Sequence, residues 1–397
     1  MAAAATQVGV WAEARRPRAT VPWYIWTGVA AVTSASIGGA WDVSWHRTIG
    51  RDTFWTPAHM MIYACGVLAG IVGLWLVLHA SLGSDTPENR ELRANSVSVL
   101  GLRAPLGVFL AGWGGVAMLT SAPFDNWWHN AYGLDVKIIS PPHALLVLGI
   151  RGVGFGMLFL ILAAMNRAQA SGAGNYIQLR RLFLYIGGLS VVGQMFFVQE
   201  QTWDVVLHRA AAYIALGIGV PMILALYWEA SQYKWTGTVI CAIYMAFLLA
   251  EIWILPLFPA QPKLGPVFNP VTHMVPAKFP ILLIVPALAL DLLWQRIRAW
   301  KPWQISLISG VVFTVVMVAV QWPFADFLMS HASQNWFFGT IYFDYNSSPL
   351  GVDRLREFLW PQSGALLLKG LTIAALCAMA STWIGLRFGR WMRGVQR

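Results

Sequence analysis

Charge is what this chain has least of. Only 11% of its 397 residues are Asp, Glu, Lys or Arg, against roughly 25% in a soluble globular protein. With 57% hydrophobic residues and a mean hydropathy of +0.58, the composition is that of a membrane protein. Cysteine is nearly as scarce. Cys65, Cys241 and Cys377 stand singly in apolar runs, so no CxxC pair, thiolate cluster or disulfide framework is available, and a metal site has to be built from His and carboxylate. Acidic residues number 17 against 27 basic ones. The resulting net charge of +10 does not mark a nucleic-acid binder, because the basic residues sit in short connections between apolar runs, where membrane topology places them. No small-residue cleavage site follows a short first run, so residues 1–22 are expected to be a cytoplasmic segment leading into a retained anchor.

What the chain has in quantity is apolar sequence. Runs long enough to span a bilayer occur at about 23–45, 55–80, 104–125, 142–165, 181–204, 210–231, 236–258, 278–296, 303–322 and 362–386. They predict an all-α, polytopic integral membrane protein of about ten transmembrane helices, with the membrane domain at 23–386 and a basic cytoplasmic tail at 387–397. The even-numbered connections are the basic ones, carrying Arg90, Arg93 and Arg103, then Arg167, Arg180 and Arg181, Lys234, and Arg296, Arg298 and Lys301. The positive-inside rule then puts both termini in the cytoplasm of a bacterial inner membrane. Successive runs pair as diverged helical hairpins at about 23–80, 104–165, 181–231, 236–296 and 303–386. The stretch GIRGVGFG, with no strand before it, reads as helix packing by small residues.

Two outer connections repeat one design. WDVSWHRTIGRDTFWTPAH and DNWWHNAYGLDVKIISPPH share Asp-x3-His-x5-Asp, then Pro, then His: Asp42, His46, Asp52 and His59, and Asp125, His129, Asp135 and His143. The second has one extra residue before its last His. Asp and His four apart on a helix share a face, and a His returning after a turn completes three ligands. Chance predicts roughly 0.2 Asp-x3-His pairs in a chain of this composition. Three occur, the third being Asp204 and His208, preceded by Glu200 and without a nearby downstream His. His273, after a Pro-rich loop, is a further candidate. One carboxylate and two imidazoles suit copper, zinc or non-haem iron, and a three-ligand site leaves positions open for dioxygen. Asp52 and Asp135 are placed to orient a ligand imidazole. Against this stands a simpler reading, in which each Asp and His hydrogen-bond to one another among interfacial tryptophans. Arg151, Asp291 and Lys369 are ionisable groups within apolar runs, read as buried pairing or snorkelling.

Asp42-x3-His46, Arg51-Asp52-Thr53, Thr56-Pro57 and His59 together resemble the metal-binding segment of the C subunit of copper-dependent membrane monooxygenases, the particulate methane and ammonia monooxygenases. The resemblance covers about twenty residues. It implies copper at Asp42, His46 and His59, a small apolar substrate oxidised with dioxygen, and oxygenase partner subunits. The second copy departs from the pattern, with Leu134-Asp135-Val136 in place of Arg-Asp-Thr and Pro141-Pro142-His143 in place of Thr-Pro-x-His. A metal transport or storage protein would use the same ligands without redox chemistry.

Overall fold

The computed structural model describes residues 20–50, 53–133, 140–263, 271–339 and 359–397, except for the side chain of Glu200. Asp52 and Asp135 therefore lie outside the described residues, as do 1–19 of the expected N-terminal segment. Eleven α-helices are present: α1 (Trp23–Thr48), α2 (Pro57–Leu82), α3 (Pro87–Ala94), α4 (Leu106–Tyr132), α5 (Pro141–Ser171), α6 (Tyr176–Phe197), α7 (Ala210–Ser231), α8 (Thr236–Ile254), α9 (Ile284–Ile297), α10 (Pro302–Leu328) and α11 (Gly364–Met392). Each of the ten apolar runs contains one of them. Seven are long and apolar enough to cross a membrane, namely α2, α4, α5, α7, α8 with its following turn, α10 and α11. The chain is a multi-span membrane protein.

The expected ten spans are thus met by seven helices, and the remaining three runs fall short for visible reasons. The first run is one continuous helix, α1, but Trp, Tyr, Thr, Ser and Gly dilute its apolar residues well before the Asp-His end. The run at 181–204 stops being α-helical at Phe197 and continues as short 3-10 turns, Gln199–Gln201 and Val206–His208. The run at 278–296 becomes helical only at Ile284. Pro280 offers no N–H to a helix, and the backbone after it is satisfied from neighbouring helices instead: Ile281 N–H donates to the Tyr244 hydroxyl (3.2 Å) and Leu282 N–H to Gln321 Oε1 (2.9 Å). Non-helical backbone at this depth survives only when buried groups satisfy it in this way.

The all-α expectation needs one small addition. Between α2 and α4, α3 starts on a Thr86 cap with Pro87 at its first position. It leads into an antiparallel two-stranded hairpin, β1 (Val97–Val99) and β2 (Leu102–Ala104). Its two-residue turn, Leu100-Gly101, has φ of 52° and 82°, the left-handed pair that matches hairpin twist.

Two sequence-adjacent pairs, α1 with α2 and α4 with α5, pack closely. In α4 and α5 the backbones touch: a Cβ on Gly114 would lie 2.5 Å from Val153 N and 2.6 Å from Gly149 O. This is the small-residue packing read from GIRGVGFG. Membrane helices lack a hydrophobic force between them and gain from close van der Waals approach. In α1 and α2, Gly38 does the same, with a Cβ 2.7 Å from Ile62 N. Farther along, the most extensive contact joins helices distant in sequence: α7 packs against α11, where Ser381 Oγ donates to Gly217 O at 2.7 Å.

The ionisable groups within apolar runs separate by role. Asp291 is fully buried and caps α8 from α9, accepting from Gly237 N–H (3.0 Å), Thr238 N–H (2.7 Å) and the Thr238 hydroxyl (2.7 Å). Three donors, two of them orphan amides at a helix start, compensate one carboxylate. Lys369 is exposed. Glu229 is held by Arg390 of α11 and by Arg393, the residue just after it. Cys65 and Cys241 are buried and Cys377 partly so, all three as free thiols.

Candidate metal centre

Both copies of the outer-connection motif are built by the same local devices. Asp42 and His46 occupy the last turns of α1, and Asp125 and His129 those of α4. Each helix ends just before a glycine of positive φ, Gly50 at 75° and Gly133 at 84°, four residues after the His. The returning helix opens on a hydroxyl cap, with Pro at the first position and His at the third. Thr56 Oγ1 accepts from His59 N–H at 3.2 Å, and Ser140 Oγ from His143 N–H at 3.5 Å. Thr56-Pro57-Ala58-His59 and Ser140-Pro141-Pro142-His143 are therefore the same cap, and the second copy departs less from the first than an alignment on Pro141-Pro142 implies. The extra residue falls between Gly133 and Ser140. Neither the glycine nor the serine is a metal ligand type, which is why the spacing of Asp and His did not reveal them, although both are visible in the sequence at fixed register.

The second copy closes on itself. Asp125 Oδ1 stands 3.6 Å from His129 Nε2 and 3.5 Å from His143 Nε2. Asp125, His129 and His143 each offer one ligand atom, and the three atoms lie within 4.8 Å of one another. These side chains are 22%, 24% and 28% exposed, enough for an ion to enter. His129 Nδ1 is 3.0 Å from the Gly133 carbonyl. A carbonyl only accepts, so Nδ1 carries the hydrogen and Nε2 presents its lone pair towards Asp125. A lone pair and a carboxylate oxygen facing each other at 3.6 Å repel unless a cation, metal or proton, lies between them. The residues present fit a metal ion.

The first copy is arranged differently. Asp42 splits its two oxygens, Oδ1 at 3.3 Å from His59 Nε2 and Oδ2 at 3.8 Å from His46 Nε2. His46 is 45% exposed and His59 10%. The two copies are neighbours: one cavity of about 20 Å³ is lined by His59, Ile62 and Tyr63 of α2, Ser121, Ala122 and Asp125 of α4, and Pro142, His143 and Leu146 of α5. That volume accommodates about one water or one small ion. Tyr63, whose ring centroid is 5.9 Å from that of His59, is a lining residue the sequence reading passed over, since nothing in a lone tyrosine's spacing marks it.

The third Asp-x3-His pair comes apart. Residues 199–201 and 206–208 form 3-10 turns with irregular backbone between them, so the α-helical i, i+4 face that would bring Asp204 to His208 does not exist. His208 turns instead to Asp326 at the end of α10, Nε2 to Oδ1 3.1 Å, with the Trp322 ring edge-on at 4.9 Å. Asp204 is half-buried in the connection. Burial raises its carboxyl above the usual range, and the nearby Lys278 ammonium opposes the rise. Lys278 also lies over the Trp203 ring at 4.3 Å. His273 sits in the 258–275 segment, where its Nδ1 pairs with the Thr272 hydroxyl at 2.9 Å. It is not among the three grouped ligands. Two residues beyond it, Val275 packs on the end of α1, where Ser44 Oγ donates to Val275 O (2.5 Å) and Val275 N–H to Thr48 Oγ1 (2.8 Å).

No protein-family model, curated protein or solved structure matches the chain.

Beside the three grouped ligands stands an aromatic wall. Phe124, Trp127, Trp128 and Tyr132 stack edge and face along α4, with Trp128 and Tyr132 centroids 4.5 Å apart and Phe124 and Trp127 5.9 Å apart. Trp127 and Tyr132 are more than half exposed, the placement expected where ring systems meet both lipid and water.

Proposed function

We propose that this protein binds copper at Asp125, His129 and His143 and belongs functionally with the membrane monooxygenases, as an oxygenase or oxygenase subunit acting on a small apolar substrate. Asp42, His46 and His59 form a second, adjacent position for metal. The observation that carries the reading is the convergence of three ligand atoms within 4.8 Å, with the His129 tautomer set by Gly133. A carboxylate and two imidazoles suit copper, zinc or iron. The choice of copper rests on the resemblance of residues 42–59 to the C subunit of the particulate methane and ammonia monooxygenases. A bound copper ion would supply the one-electron chemistry that reduces dioxygen. The chain's own residues hold the ion, fix the imidazole tautomer and, through Phe124, Trp127 and Trp128, provide an apolar wall on one side.

On this reading the long apolar helices span a bacterial inner membrane, both termini are cytoplasmic, the Asp-His ends face outward, and oxygenase partner subunits complete the assembly. Metal analysis of the purified protein tests it. About one copper ion or more per chain is expected, with loss on His129→Ala or His143→Ala. Unchanged metal content in both variants sinks the proposal. Tightly held metal that does not cycle between oxidation states would favour the alternative, transport or storage by the same ligands.

A further inference from the structure

We infer that Arg180, Lys234 and Arg298 form a seat for the phosphate of an anionic phospholipid in the leaflet opposite the Asp-His ends. Arg180 lies one turn into α6, Lys234 in the connection from α7 to α8, and Arg298 just after α9. These ends meet on one side of the molecule, where Gln295 of α9 donates from Nε2 to the Lys234 carbonyl at 3.1 Å. The Arg180 side chain runs back along its helix, as helical side chains do, to Tyr176 at the first position of α6 and to Tyr233 in the connection. Its charge therefore stands at the helix ends and not within the span. Trp300 and Trp303, just past Arg298, are 47% and 57% exposed, the placement of indole rings at headgroup level.

Each of the three cations is held over an aromatic ring. Arg180 Cζ stands 4.8 Å from the Tyr233 ring centroid and 5.4 Å from that of Tyr176. Lys234 Nζ is 5.9 Å from the Trp235 centroid, and Arg298 Cζ 5.9 Å from that of Trp228. Such rings fix a cationic head without neutralising it. Other cations on this face are neutralised: Arg90 lies 3.6 Å from Asp85, and Arg390 and Arg393 share Glu229. No carboxylate pairs with Arg180, Lys234 or Arg298 among the described residues. Three positive groups, fixed in place and left positive, match an anion, and a guanidinium fork takes phosphate in a bidentate contact while the ammonium adds a point charge. Basic pockets between helix ends bind anionic headgroups in this way. Leu288 and Leu292 are exposed and share a face of α9 with Gln295, so an apolar track for acyl chains leads away from the cations.

The inference is independent of the metal reading. It is tested on the full chain in nanodiscs of phosphatidylcholine with a minor share of phosphatidylglycerol, counting phosphatidylglycerol retained on release into detergent by native mass spectrometry. Arg180→Gln is expected to bind that lipid about tenfold more weakly than the wild type, as for one charge-assisted contact, and Arg298→Gln should act likewise. Arg180→Lys, which keeps the charge but not the fork, should fall between them and guards against a folding artefact. Tyr233→Leu, which frees the guanidinium without removing it, should weaken retention by a smaller factor. Arg90→Gln, which removes a cation already paired with Asp85, should retain the lipid as the wild type does. A loss there as large as in Arg180→Gln would reflect only the positive charge of this face and overturns the inference. Equal retention by wild type and Arg180→Gln overturns it as well. So does displacement of the lipid by millimolar inorganic phosphate, which would make the seat one for a free anion.

Discussion

The α1/α2 and α4/α5 hairpins carry the same Asp-x3-His and cap-Pro-x-His pattern, yet they end in different geometry. In α4/α5 one oxygen, Asp125 Oδ1, faces both imidazoles at 3.6 and 3.5 Å. In α1/α2 the two oxygens of Asp42 are divided between His59 and His46. One arrangement points three ligand atoms at a single place, whereas the other strings them along the carboxylate. The sequence copy with the stronger family resemblance is the first, while the tighter convergence belongs to the second. Near-identical spacing builds the same helix ends and caps in both copies, but ring orientation is decided by what the far side of each imidazole finds. His129 finds the Gly133 carbonyl.

The largest effect expected from this comparison is a separation of the hairpins. Gly114→Val, which forces α4 from α5 where the backbones touch, should remove the metal bound at Asp125, His129 and His143. Gly38→Val, its counterpart in α1/α2, should leave most of it. Metal content of the two purified variants checks this, and equal losses would collapse the distinction between the copies. Next comes His143→Ala against His46→Ala. The first should abolish tight copper binding and the second should reduce it only partly, read by competition with a chelator. A smaller effect is predicted for Gly133→Ala, since an alanine at φ 84°, ψ −169°, a region nearly reserved for glycine, costs about 1–3 kcal/mol and moves the carbonyl that orients His129. Loss of such a supporting hydrogen bond typically costs 10–100-fold in metal affinity, so about a tenfold weaker copper affinity is expected, and wild-type affinity would show the contact is dispensable. The smallest is Ser140→Ala against Thr56→Ala. Each removes a helix cap worth about 1 kcal/mol, so both should lower thermal stability by a few degrees and to similar extents. A much larger drop for Ser140→Ala would mean the hydroxyl does more than cap.

Much of the architecture is legible in the residues. Apolar runs locate all ten long segments, because hydrocarbon admits few other sequences. The glycines of GIRGVGFG announce close helix packing, and Asp125, His129 and His143 announce a shared point through helical spacing. What escaped that reading depended on backbone that is not α-helical. Asp204 and His208 look like a third copy until 3-10 geometry separates them. Asp291 looks like a membrane-buried charge until it proves to cap α8. The Leu282 amide, which a helix would have satisfied, finds Gln321 instead.

By itself, then, the sequence determined the class of molecule and which side chains are able to meet, since burial in lipid and the 3.6-residue period leave little choice for apolar and paired polar positions. Which of them do meet was left to the tertiary structure. His208 goes to Asp326 and Asp125 to two histidines at once, because partners from distant helices and the carbonyl behind a ring are set by packing that spacing along one chain does not encode.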